Sequence, residues 1–317
     1  MTVAYVHHPA CEAHDTGEGH PEAPERVAAI HAAVRGDPAL AGELEEIRAE
    51  AATVEDLLLV HAPAHVTAIR EAAERAAREE TIRWADPETA VSGASFEAAL
   101  AAAGCAIAAA EAVWSGRFRG AFAAARPPGH HASRDRASGF CLFDNVAIAA
   151  RRLQRAGADR VLVVDVDVHH GDGTQEIFWE DPSVFVLSTH LYPHFPGTGA
   201  EEERGAGAGL GTTRNVPLPH GTGAAEHRRR FSAALGATLA VFAPDAVLVS
   251  AGFDCLAGDP LGGLLLEPDD LHAILREIVE RTRPSARGRV AAVLEGGYVP
   301  PRVGAGAVAM LRALAGA

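Results

Sequence analysis

Residues 161–173 read Val161-Leu162-Val163-Val164-Asp165-Val166-Asp167-Val168-His169-His170-Gly171-Asp172-Gly173. An apolar run turns abruptly into carboxylates and imidazoles, the pattern of a buried strand whose end carries chemistry. Alternate side chains of a strand share a face, so Asp165, Asp167 and His169 are predicted to project to one side, successive members about 7 Å apart. That is half of a metal site. Asp and Gly also cap strands and the helices that follow them, so this segment alone leaves a purely structural reading open.

A further ligand stands in a matching context at the end of Val247-Leu248-Val249-Ser250-Ala251-Gly252-Phe253-Asp254. Parallel strands deliver functional groups at their carboxyl edge. Asp167, His169 and Asp254 therefore form a triad suited to catalytic zinc, which takes three protein ligands and keeps a position for water whose pKa falls to about 7. The apolar run at 120–125 leads into Arg126-Pro127-Pro128-Gly129-His130-His131, placing paired imidazoles just past another strand end. Such a pair suits proton transfer beside an activated water, and Asp165 and Asp172 are the carboxylates available to orient it. The run from Val290 ends in Glu295-Gly296-Gly297-Tyr298. The glycines allow close backbone approach, and the phenol can donate to a developing oxyanion; taken singly, a tyrosine there is as often a packing residue.

Strands are predicted at residues 3–6, 120–125, 160–168, 184–190, 246–251 and 289–294, and helices at 24–35, 54–60, 63–78, 95–114, 144–155, 223–242, 268–281 and 302–315. This alternation indicates an α/β protein with a parallel sheet and helices on both faces. Motifs spread from residue 20 to residue 298 in a chain of 317 residues argue for a single domain over 1–317. The start Met1-Thr2-Val3-Ala4 lacks a signal-peptide pattern, and no apolar run is expected to approach the ~20 residues of a membrane span, so a cytoplasmic protein without a membrane partner is expected. Cys11, Cys105, Cys141 and Cys255 show no Cys-x-x-Cys spacing and read as free thiols. The net charge of -14 disfavours nucleic acid and attracts cationic substrates. The chain contains no lysine, so no side-chain amine of its own can be acylated.

His20-Pro21-Glu22-Ala23-Pro24-Glu25-Arg26, Arg126 to His131, Gly139-Phe140-Cys141-Leu142-Phe143-Asp144-Asn145, Asp165 to Asp172, Ala251 to Asp254 and Glu295 to Tyr298 occur in one order along the chain. Together they resemble the zinc-dependent histone deacetylase family, which includes acetylpolyamine amidohydrolases, and most nearly its class II branch. The resemblance implies the three-layer arginase/deacetylase fold with a mainly parallel sheet of about eight strands. It implies zinc on Asp167, His169 and Asp254, iron(II) being an alternative that such ligands accept. It implies His131 as the principal base and acid, oriented by Asp172, with His130 electrostatic and oriented by Asp165. Tyr298 would stabilise the oxyanion. A substrate channel would be walled by Gly139, Phe140 and Phe195, with Leu261 at its mouth, Gly296 and Gly297 along it and Arg26 at its foot, and a flexible loop at 201–213 near its rim. Potassium would sit on the Asp165 carboxylate and the Ser188 hydroxyl, with backbone of Asp167, His169 and Thr189. The implied activity is removal of acetyl or other acyl groups from lysine ε-amines of proteins or peptides. Acylated polyamines are the alternative substrate, since a leucine at 261 lacks the charge a second ammonium would need. A non-catalytic acyl-lysine reader leaves the histidines and Tyr298 without a purpose. A two-manganese ureohydrolase needs a second carboxylate that Phe253-Asp254-Cys255 does not offer.

Overall fold

The computed structural model describes residues 1–316. Its strands are β1 (Val3–His7), β2 (Leu44–Arg48), β3 (Arg83–Trp84), β4 (Ala90–Val91), β5 (Ala121–Ala123), β6 (Val161–Asp165), β7 (Val184–Leu191), β8 (Thr213–Leu218), β9 (Ala246–Ala251) and β10 (Val290–Leu294). The α-helices are α1 (Glu25–Gly36), α2 (Val54–Leu57), α3 (Pro63–Glu79), α4 (Ser95–Trp114), α5 (Asn145–Arg155), α6 (Asp172–Phe178), α7 (Ala224–Leu239), α8 (Pro268–Ala286) and α9 (Pro300–Ala315). Eight strands form one sheet in the order β2-β1-β5-β10-β9-β6-β7-β8. Every pairing within it is parallel.

Alternation along the central strands builds two cores. Val161, Val163, Leu248, Ala291 and Val293 pack on the face covered by α4 and α5, whereas Leu162, Val164, Val247, Val249 and Ala292 pack beneath α7, α8 and α9. Both faces are apolar, which is why these strands read as continuous hydrophobic runs. α4 departs from the membrane expectation. Among the described residues it is long and apolar enough to cross a bilayer by length and composition, yet most of it is buried within the first core. Its alanines, from Ala98 to Ala112, allow it to lie close against the sheet and α5.

The sequence reading lacks the short β3-β4 hairpin, helix α6 and the two edge strands of the main sheet. β2 is Leu-Glu-Glu-Ile-Arg with its charged residues exposed, and β8 carries Pro217. Charge and proline blunt a sheet edge and equally hide a strand from a search for apolar runs. The four cysteines are unpaired and buried.

Candidate active site

Four adjacent central strands, β5, β10, β9 and β6, end at one edge of the sheet, and each leads into one piece of a buried polar cluster. His130 and His131 follow β5, Glu295 to Tyr298 follow β10, Asp254 follows β9, and Asp165 closes β6. The strand reading of 165–169 needs correction here. β6 stops at Asp165, and Asp167 and His169 lie in the turn beyond it. Short backbone-to-carboxylate bonds gather the side chains: Asp167 N donates to Asp165 Oδ1 (3.0 Å), and His169 N donates to Asp167 Oδ1 (2.8 Å). The groups are consequently far closer than a pleat allows.

Ligand atoms of Asp167, His169 and Asp254 all lie within 4.8 Å of one another, every residue buried. His169 Nδ1 is 3.1 Å from Asp167 Oδ1 and 3.2 Å from Asp254 Oδ2. Asp254 Oδ2 is a buried carboxylate oxygen with no hydrogen-bond partner. Its other oxygen accepts from Val168 N (2.9 Å), and Asp167 Oδ2 accepts from Gly296 N (2.8 Å). Burial and then the Asp167 charge push Asp254 up to about 6, the signature of two carboxylates crowded together in a dry site. His169 is driven up to about 10 because its two carboxylate partners outweigh its burial. One imidazole and two carboxylates that want a positive charge between them fit a divalent cation of the zinc type. Gly296 is required in this arrangement, since a Cβ there would collide with Asp254 Oδ2.

Beside the triad the two histidine rings pack at 4.0 Å between centroids, tilted by 48°. His130 Nδ1 lies 2.9 Å from Asp165 Oδ2, and His131 Nδ1 lies 2.7 Å from Asp172 Oδ1. Burial opposes the charged form of His130, but Asp167 and Asp165 outweigh it and raise the group well above its ordinary value. Burial, followed by the charge on His130, holds His131 down at about 4. The two imidazoles are thereby biased in opposite directions, His130 towards its charged form and His131 towards its neutral one. The backbone of this pair hangs on Glu295, whose Oε2 accepts from Gly129 N (2.7 Å) and His130 N (3.1 Å).

A cavity of about 240 Å³ opens onto this cluster and is lined by His131, His169, Gly139, Phe140, Phe195, Leu261 and Tyr298, with Glu88 and His194. Phe195 meets the His131 ring edge-on at 5.1 Å, and Phe140 meets Tyr298 at 5.7 Å. Gly139 and Phe140 both have positive φ, 54° and 68°. A side chain on Gly139 would collide with the His131 ring, so this left-handed turn requires glycine. Burial and then the Asp254 charge raise the Tyr298 phenol well above its ordinary value, leaving it a proton donor.

Three residues placed along the channel by sequence do not line it. Arg26 is fully buried, its guanidinium bonded to the carbonyls of Gly297 (2.5 Å) and Glu295 and stacked 5.2 Å from the Tyr298 ring centroid. Gly296 and Gly297 lie behind the cavity wall, where their backbone groups serve Asp167 and Arg26. The segment 201–213 also stands away from the channel lining and includes a 3-10 turn at Gly207–Gly209. Ser188 is the register partner of Asp165 across β6 and β7, and its hydroxyl bonds His190 Nδ1 (2.8 Å).

Sequence reasoning missed Glu88, Asp259, Glu295 as a functional group, and the acid that neutralises Arg26. Asp259 accepts Tyr298 N (2.7 Å) and Leu261 N (3.0 Å), tying the phenol loop to the channel mouth. Glu22 supplies the charge between Arg26 (3.0 Å) and Arg126 (2.7 Å). Its place in the His20 to Arg26 motif was visible, but its partner Arg126 is a hundred residues away and no spacing connects them.

The model of the histone deacetylase domain matches residues 20–314. The chain is 38% identical over 312 residues to Histone deacetylase 14, chloroplastic, of Arabidopsis thaliana, covering 94% of this chain and 74% of that one. It is 37% identical over 302 residues to a probable deacetylase of Archaeoglobus fulgidus, covering 94% and 82%. Histone deacetylase 10, chloroplastic, of Oryza sativa subsp. japonica is 38% identical over 298 residues, but the match spans 66% of its length and 89% of this chain. Among solved structures the HDA15 HD domain superposes with a TM-score of 0.92 at 34% identity, covering 99% of this chain and 88% of that one. With the eight-stranded parallel sheet, this is the arginase/deacetylase fold. The match over nearly the whole length makes the chain a member of the histone deacetylase family, hydrolases that act on amide bonds.

Proposed function

We propose that the protein is a zinc-dependent amidohydrolase that removes acetyl or other acyl groups from lysine ε-amines of proteins or peptides. The observation that carries this reading is the meeting of the Asp167-His169-Asp254 triad, the His131-Asp172 pair and Tyr298 at the bottom of one aromatic-walled channel. Asp167, His169 and Asp254 would hold the zinc, which when bound would supply Lewis acidity to the amide carbonyl and lower the pKa of a water. His131, its Nδ1 occupied by Asp172, offers Nε2 to take a proton from the attacking water and return it to the leaving amine. His130, held by its hydrogen bond to Asp165, would add positive charge beside the reacting centre when protonated. Tyr298 donates its phenolic proton to the carbonyl oxygen as charge develops there. Phe140 and Phe195 give apolar walls to the four methylenes of a lysine stem, each worth about 0.8 kcal/mol when buried. Potassium on Asp165 and Ser188 belongs to the same reading, since the two are register partners next to the triad.

Metal content measured on purified protein, together with hydrolysis of an acetyl-lysine peptide, tests the proposal. Asp254→Asn is expected to lose both bound zinc and activity; retention of full turnover would refute the assignment. Tyr298→Phe is expected to keep the metal and lose about 10² to 10³ in kcat, read by steady-state kinetics.

One observation favours the polyamine alternative. Glu88 lines the channel with Leu261, and its carboxylate makes no ion pair among the described residues. It supplies the negative charge that Leu261 cannot, where a second ammonium of an acylated polyamine would lie. Parallel rates on acetylputrescine and an acetyl-lysine peptide separate the readings. In a polyamine hydrolase, Glu88→Gln should raise KM for acetylputrescine by about tenfold, the loss of one charge-assisted contact, and spare the peptide.

A further inference from the structure

A second cavity, of about 560 Å³, lies far from the channel lining, between the edge strand β8, the helix α7 and the segment that leads into β8. Four arginines line it: Arg204, Arg214, Arg229 and Arg230. The chain as a whole carries a net charge of -14, so this concavity runs against the overall sign. Arg229 and Arg230 share the single carboxylate of Glu226. Arg204 and Arg214 make no ion pair among the described residues; their bonds run only to the carbonyls of Glu201 (3.5 Å) and Ala234 (3.4 Å). Counting Glu201 in the lining and Glu226 beside it, two positive charges remain without a counterion. Arg214 is also lowered from its ordinary pKa, first by burial and then by Arg204, as expected of like charges held together. Asn215, next to Arg214 on β8, also borders the cavity, but its side chain turns to the other face of the strand, where Nδ2 donates to Gln175 Oε1 (2.7 Å).

We propose that this cavity binds a small organic diphosphate of nucleoside diphosphate size. Guanidinium forks recognise phosphate oxygens bidentately, and a diphosphate supplies at least the two negative charges the arginines lack. The volume falls in the range of about 300 to 1,000 Å³ typical of small-molecule sites, and a bare inorganic anion would leave most of it open.

Isothermal titration of the full chain at physiological ionic strength, with ADP, inorganic diphosphate and sulfate as probes, tests the site. One-to-one saturable binding is expected, with ADP tighter than diphosphate and diphosphate tighter than sulfate. Arg214→Gln should weaken ADP and diphosphate by about tenfold or more. Glu226→Gln should tighten both, because it releases Arg229 and Arg230. Arg204→Gln, at an exposed position, repeats the first test should Arg214→Gln fail to fold by circular dichroism. Absence of saturable binding, or diphosphate no tighter than sulfate, would overturn the proposal. So would affinities unchanged in folded Arg214→Gln or Arg204→Gln, or unimproved in Glu226→Gln.

Discussion

Replacing His131 with Ala is expected to lower kcat by about 10² to 10⁴-fold on an acetyl-lysine peptide while leaving the bound zinc in place. The size follows from the environment of this imidazole. Asp172 consumes Nδ1 at 2.7 Å, so the tautomer is fixed and Nε2 alone faces the chemistry. Burial, and then the adjacent His130 cation, keep the ring at about 4, hence a free base at neutral pH. In the proposed site His169 would hold the metal and His131 would not, so metal content and rate should separate. Asp172→Asn should cost less, about 10 to 100-fold, because the ring stays while its orienting partner weakens. Single-turnover rates with zinc determined in the same samples make the measurement. A variant without His131 that turns over at the wild-type rate would remove the proton-transfer role altogether.

The second large effect concerns stability. Glu22→Gln is expected to destabilise the protein by about 3 to 5 kcal/mol, the cost of breaking a buried ion pair from one side. Glu22, Arg26 and Arg126 are all fully buried, and one carboxylate serves two guanidiniums. Removing it strands both. Burial alone would raise Glu22, but Arg126 and Arg26 outweigh it and hold it at about 2, below its ordinary 4.5. A carboxylate depressed in the fold stabilises fully above pH 4.5 and loses that contribution as pH falls from 4.5 towards 2. Urea titrations across this window should show the wild type losing stability faster than Glu22→Gln. Equal slopes with equal midpoints would show that the carboxylate contributes nothing.

What could be read from the sequence depended on the kind of signal each element emits. β6, β7, β9 and β10 are buried on both faces, so their apolar runs announced them and the chemistry at their ends. β2 and β8 sit at the sheet's edges, where exposed charges and Pro217 erase that pattern. Asp165, Asp167 and His169 were recognised as a group through a strand alternation that does not extend beyond Asp165. The turn beyond β6 brings them closer, through bonds of Asp167 N and His169 N that no periodicity encodes. Pairing of His130 with Asp165 and of His131 with Asp172 joins residues about forty positions apart, and needed the resemblance to be assigned. Glu88 and Asp259 bear on the channel only through tertiary packing, so nothing local marks them.

Arg26 joins the beginning of the chain to its end: a residue of the first helix fastens the carbonyls at 295 and 297 and lies against the Tyr298 ring. Aim of that phenol is therefore inherited from the amino-terminal segment, and loss of the Arg26 brace would free the ring that the proposed function makes its oxyanion donor while leaving the Asp167-His169-Asp254 triad and both imidazoles on their own strand ends. If the proposed chemistry holds, a change at residue 26 would be felt at residue 298, at the far end of the chain.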